Sequence, residues 1–186
     1  MSLEQSGIVR DSTEYAEILA EAFVEVVQKA AKDAMCCEFA SDEITPALME
    51  CLQYVYLHGA SPIREIALGL EISVSAGSQL VDRLVKKDLV TRRENQEDRR
   101  LIVVELTDAG RELVKQMRKR RSSWFESVVN ALPEPKRRAL LEGLEGFLEV
   151  SLSREDKIDR ACVKCGMEHV SFCVINKLKD ERTSAR

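Results

Sequence analysis

Between Tyr15 and Met35 the apolar residues Tyr15, Ile18, Leu19, Ala22, Phe23, Val26, Val27, Ala30, Ala31 and Ala34 recur every three or four positions. That spacing predicts an amphipathic helix, with Glu14, Glu17, Glu21 and Glu25 on its other face. A helix of that length is long for a small domain and needs an extended partner for its stripe. In "ITPALMECLQYVYLHGA", Thr45 is placed to cap a second helix, Pro46 to open it and Gly59 to end it. Leu48, Cys51, Leu52 and Val55 form its inner stripe. Ser61 and Pro62 repeat the cap-then-proline signal before a short third helix with Ile63, Ile66, Ala67 and Leu70 inward. The turn "GLEIS" leads to a fourth, from about Val74 to Lys87.

The period then changes. "LVTRRE" and "LIVVEL" are rich in β-branched residues and flank the polar "NQEDRR", which predicts a two-stranded hairpin with a charged tip. Thr107 can cap a fifth helix carrying Leu113, Val114, Met117, Trp124, Phe125, Val128 and Val129; Pro133 and Pro135 interrupt it. A sixth presents Leu140, Leu141, Leu144, Phe147 and Leu148 on one face, and a cysteine-rich segment with a polar tail closes the chain. The fold class is thus mainly α: six helices, a helix-turn-helix and a two-stranded β-wing. A major groove of B-DNA admits one α-helix, the preceding helix positions it, and an arginine-bearing hairpin can enter the adjacent minor groove.

Charge sharpens this reading. The net charge of −4 does not favour nucleic acid as a partner, yet it is unevenly spread. Residues 1–60 hold three basic and eleven acidic side chains, whereas residues 83–121 hold thirteen basic and seven acidic. Phosphate contacts need local positive charge, not a basic whole. No apolar run is long enough to span a bilayer, and the opening "MSLEQSGIVRDSTEYAE" lacks a basic patch followed by an apolar core. The expectation is a cytoplasmic protein with no membrane partner, in which the six cysteines are not structural disulfides.

The stretch "IREIALGLEISVSAGSQLVDRLVKKDLVTRRENQEDRRLIVVELTDAGRELV" resembles the MarR family of winged helix-turn-helix transcriptional regulators. "VDRLVKKDLV" closing the recognition helix, "EDRR" at the wing tip and "LTDAGREL" opening the next helix carry the resemblance, and the six-helix order covers residues 8–152. It implies that Ser73, Ser75, Ser78 and Gln79 face the groove and that Arg83 is a backbone contact or a structural partner. Arg99 and Arg100 would be wing contacts, with Arg100 in the minor groove and Asp98 as its structural companion. Gly77 stands where the family usually has an apolar or β-branched residue, and Gln79 where a larger polar residue is common. The reading face is therefore small and neutral.

The resemblance also implies a homodimer that places two recognition helices about one DNA turn apart on double-stranded DNA, reading a pseudo-palindromic operator, most simply as a repressor. Residues 1–42 would hold the N-terminal dimerisation helix, 43–107 the DNA-binding domain, 108–153 the further dimerisation helices and 154–186 a Cys/His-rich tail. A small-molecule effector pocket would lie between the dimer helices and the wing domain, lined by Tyr15, Phe23, Tyr54 and Tyr56.

The tail is outside the family pattern. "CVKCGMEHVSFC" spaces Cys162, Cys165, His169 and Cys173 as C-x2-C-x3-H-x3-C. Two cysteines two residues apart can hold one ion, Gly166 lets the backbone turn, and four soft ligands suit tetrahedral zinc. An iron–sulfur cluster or redox-sensing thiolates use the same residues, and ordinary thiols without metal are the third reading. Cys51 falls on an apolar stripe and reads as core; Cys36 and Cys37 are candidate sensor thiols near the end of the first helix. A zinc enzyme would need an open coordination position and a base, and the segment offers four ligands with Glu168 as its sole carboxylate. No P-loop, dinucleotide fingerprint or serine elbow is present, so the chain reads as a regulator and not an enzyme. A protein-interaction module that binds no DNA is the remaining class.

Overall fold

The computed structural model describes residues 13–35, 44–95, 101–153 and 173–184. The elements in chain order are α1 (Thr13–Met35), α2 (Pro46–His58), β1 (Ser61–Pro62), α3 (Ile63–Gly69), α4 (Val74–Lys86), β2 (Val90–Glu94), β3 (Ile102–Leu106), α5 (Asp108–Ala131), α6 (Glu134–Ser153) and α7 (Val174–Ser184).

Local chemistry sets most of these boundaries. Thr45 caps α2 by accepting from Leu48 N at 3.4 Å, with Pro46 at the first helical position. Gly59 ends α2 at φ 74°, a conformation glycine adopts without penalty. Ser73 caps α4 through Ala76 N at 3.1 Å, and Thr107 caps α5 through Gly110 N at 3.0 Å.

The cap-then-proline signal at Ser61 and Pro62 has another outcome. Pro62 itself occupies the cap position of α3, with no side-chain cap bond. The Ser61 hydroxyl donates to Gly59 O at 3.1 Å. These two residues form β1, pairing antiparallel with β3 as Ser61↔Val104 and Pro62↔Val103. The expected hairpin is there, from Val90↔Leu106 to Glu94↔Ile102, and the sheet has three strands in the order β1-β3-β2.

One core joins the helix-turn-helix to the sheet. Leu48, Leu52, Ile66, Val81, Leu84 and Val104 are fully buried, and Leu113, Val114 and Met117 of α5 belong to the same cluster. Full burial of each such side chain stabilises the fold by about 1.5–3 kcal/mol. The Cys51 thiol sits in this cluster, and burial pushes it up from its ordinary 9.0 to about 12. The unfolded chain would shed that proton at lower pH, so this group's contribution to stability falls as pH rises from about 9 towards about 12. Cys51 is a core residue, as its stripe position implied.

Beyond the core, α1 packs on α5. Where the sequence predicts only a polar tail, the structure has α7, an eleven-residue helix packed on α6. Ile175 and Leu178 are its buried residues, packed with Leu152, Cys173 and Val174. The apolar content of 174–184 is too sparse to give a helical stripe, so only the contact with α6 reveals it.

Gly110 is a packing requirement. A Cβ there would lie 2.0 Å from Leu89 O, so α5 can begin against the α4–β2 connection only with glycine at this position. Gly110→Ala should lower unfolding free energy by about 3 kcal/mol, the upper range for overpacking. Gly143, on open α6 surface, has nothing within 4 Å of such an atom, and Gly143→Ala should raise it by about 0.5–1 kcal/mol. Chemical denaturation of both variants checks this pair. Equal behaviour of the two would contradict the packing at Leu89.

Candidate nucleic-acid interface

α4 turns one face inward and one outward. Gly77, Val81 and Leu84 are buried, while Val74, Ser75, Gln79, Asp82, Arg83 and Lys86 are exposed. Ser78 is half-buried. The outward face thus carries three of the four residues expected at the groove, Ser75, Ser78 and Gln79, and also Arg83. Ser73 is differently used: its hydroxyl accepts the Ala76 amide, leaving its proton to donate outward.

Gly77, the departure from the family's habit, has a steric cause. A Cβ on it would meet Ala67 Cβ at 3.1 Å and Ile63 Cγ2 at 3.6 Å. The small pair Gly77–Ala67 lets α3 and α4 approach closely, which offsets the ~1 kcal/mol that mid-helix glycine costs.

The base of the wing is tied to α4 and α5. Leu89 N donates to Leu84 O at 3.0 Å, closing α4, with Asp88 in the left-handed region at φ 56°. Thr107 N donates to Leu89 O at 3.1 Å, and the Thr107 hydroxyl donates to Asp88 O at 2.7 Å. Both wing strands therefore spring from one hydrogen-bonded junction. Further out, Arg92 pairs with Asp82 of α4 at 2.7 Å. Arg92 lies on the same side of its strand as core residue Val90, two positions away, so it points back to the helix. Across the hairpin, Arg93 pairs with Glu105 at 2.5 Å. Ion pairs this exposed contribute about 0–1 kcal/mol each. Their consequence is positional: Arg92 neutralises the carboxylate on the outward face of α4, one that phosphate would otherwise repel.

Asp98, Arg99 and Arg100 lie outside the described residues, as do Cys162, Cys165, His169, Cys36 and Cys37. Cys173 is half-buried at the start of α7, its carbonyl accepting from Lys177 N at 3.1 Å. Among the described residues no group of three His, Cys, Asp or Glu side chains could hold a metal ion. Of the four aromatic residues expected around an effector, Tyr54 is taken into the core, its ring 4.4 Å from that of His58 and against Gly69. Tyr56, two residues on and so on another side of α2, lies under Arg118 of α5 at 4.9 Å. Tyr15 is half-buried and Phe23 exposed on α1. Sequence reasoning passed over Val74, Asp82 and Arg92. The signal for Val74 was an apolar residue at the first position of α4; the ion pair had no signal, because its partners meet only through the fold.

Residues 44–101 match the sequence model of the MarR family. Over 67 residues the chain is 40% identical to the HTH-type transcriptional repressor MdtR of Bacillus subtilis (strain 168), a stretch that is 36% of this chain and 43% of MdtR. The chain thus spans less than half the length of that relative. The fold is similar to that of RV1404 from Mycobacterium tuberculosis, at TM-score 0.70 and 23% identity, over 75% of this chain and 94% of that one. It is also similar to Streptococcus pneumoniae FabT, solved in complex with DNA, at TM-score 0.63 and 16% identity, over 78% of this chain and all of FabT. These structural likenesses are likenesses of fold. Residues 44–101 are thus similar to the MarR family and the fold is that of a winged helix-turn-helix, and no helix among the described residues is long and apolar enough to cross a membrane.

Proposed function

We propose that the protein is a sequence-specific DNA-binding regulator, most simply a repressor, that acts as a homodimer. The observation that carries this is the outward face of α4, free of unpaired carboxylate in its first two turns and held to the wing by Arg92–Asp82. The match of residues 44–101 to the MarR family and the DNA complex of FabT support the same reading. In this reading Ser75, Ser78 and Gln79 meet base edges, and Ser73 and Arg83 meet the backbone. Arg99 and Arg100 are wing contacts, with Arg100 entering the minor groove and Asp98 as its structural companion. Wing arginines that read groove width supply affinity more than base identity.

Pairing of two copies follows from apolar surface. Ile18 is 58% exposed, Leu141 52% and Phe147 66%, on α1 and α6, the helices outside the core. A second copy of the same surface is the simplest cover for them. Operator binding then excludes other proteins from the site, and a small molecule lodged near Tyr15, Phe23 and Tyr56 would alter the spacing of the two reading helices. The expected mass in solution is about twice the 21.0 kDa chain. Affinity should fall with salt, and Arg100→Ala should flatten that dependence by about one unit of log–log slope. Sedimentation and titration at several salt concentrations measure both; a monomer, or a slope unchanged in Arg100→Ala, would remove the proposal.

The tail supports a second element of this reading, a structural zinc ion held by Cys162, Cys165, His169 and Cys173. The donor set, four soft ligands with no carboxylate, fits tetrahedral zinc better than an iron–sulfur cluster, which usually takes cysteine alone. The described ligand, Cys173, opens a helix whose hold on α6 is two buried side chains, Ile175 and Leu178. Isolated helices of such length are marginal in water, and a metal cross-link next to it would supply the missing stabilisation. Purified protein should carry about one zinc per chain, and Cys173→Ser should lose both the metal and the helicity of α7. Metal-free wild type with α7 intact by hydrogen exchange would sink the zinc reading.

A further inference from the structure

The first two turns of α4, "VSAGSQLV", contain no charged residue. Arginine and lysine, the side chains that most often read guanine in the major groove, are missing from the part of the helix that approaches base edges. The chain offers instead an apolar side chain and an amide. Val74 is 54% exposed although the adjoining Ile72 packs on the core. Gln79 is exposed one turn further on. Val74 and Ser78, and likewise Ser75 and Gln79, are four apart and so are neighbours on the helix surface. Their chemistry has counterparts on an A·T pair. The thymine C5-methyl is the apolar feature of the major groove, and adenine pairs with a glutamine amide at two points, N6 donating to the amide oxygen and N7 accepting from the amide nitrogen.

We infer that α4 specifies A·T pairs, Val74 by contact with a thymine methyl and Gln79 by pairing with adenine, and that no residue of these two turns reads guanine. This rests on the DNA-binding reading above. Ser75 and Ser78 add hydrogen bonds that discriminate weakly, and Arg83 and Lys86, in the last turns of α4, stay on the phosphates. Val74 is thereby assigned a role that explains why an apolar side chain is left in solvent at the start of the helix.

The test uses the full-length chain. Duplexes are selected from a random pool, and thymines of the selected half-site are then replaced singly by uracil, which removes the methyl group and nothing else. Wild type should lose about fourfold in affinity at one thymine per half-site, the worth of one buried methyl group. Val74→Ala should bind more weakly and be nearly indifferent to that uracil. Gln79→Ala should lose about tenfold in preference for adenine at a single position. The uracil arm alters only DNA, so it cannot be confounded by a misfolded variant. Selected half-sites with G·C at the positions that these variants affect, or indifference of wild type to every uracil, would overturn the inference while leaving salt-dependent duplex binding, and so the regulator reading, intact. Failure to select any duplex would overturn both.

Discussion

Thr107 holds the molecule's working parts in register. Its amide donates to Leu89 O, its hydroxyl donates to Asp88 O, and that same hydroxyl caps α5 through Gly110 N. The end of α4, the start of β2, the end of β3 and the first turn of α5 all meet at this residue. Gly110 makes the junction possible, since any side chain would collide with the Leu89 carbonyl. Asp88 contributes by adopting the left-handed conformation, which aspartate tolerates better than most residues.

From that junction the rest follows mechanically. Leu113, Val114 and Met117 continue α5 into the core beneath α4, so helix and core turn together. The wing departs from the same point and is tied back by Arg92–Asp82. A displacement of α5 against the core would therefore reach α4 through this junction. The tie is made of hydrogen bonds and packed side chains, and no separate hinge is needed.

Much of this was legible in the chain. The caps at Thr45 and Thr107 are local chemistry, each settled within three residues, while the cap that Ser73 makes on α4 is a use of that residue beyond the groove-facing one expected. The change from helical to strand period at Leu89 is equally local, and the core assignment of Cys51 followed from its stripe. What escaped depends on distance. β1 exists because β3, about forty residues later, pairs with it; two residues show no period of their own. The use of Gly77 depends on Ala67 across the helix crossing. That Tyr54 is the aromatic side chain of α2 drawn into the core depends likewise on packing, since an aromatic residue on a helix does not reveal which side will be buried. Helix α7 rests on two side chains whose partner lies across the cysteine-rich segment.

If the Thr107 junction fixes α4 to the pairing helices, the two reading helices of a dimer stand at one separation. The direct measurement is affinity for duplexes whose half-sites are moved apart by about five base pairs, half a turn of B-DNA. The account predicts a fall to the affinity of an isolated half-site, because the second helix then faces the wrong side of the duplex. Equal affinity for the original and the respaced duplex would mean that α4 moves freely of α5, and would contradict it.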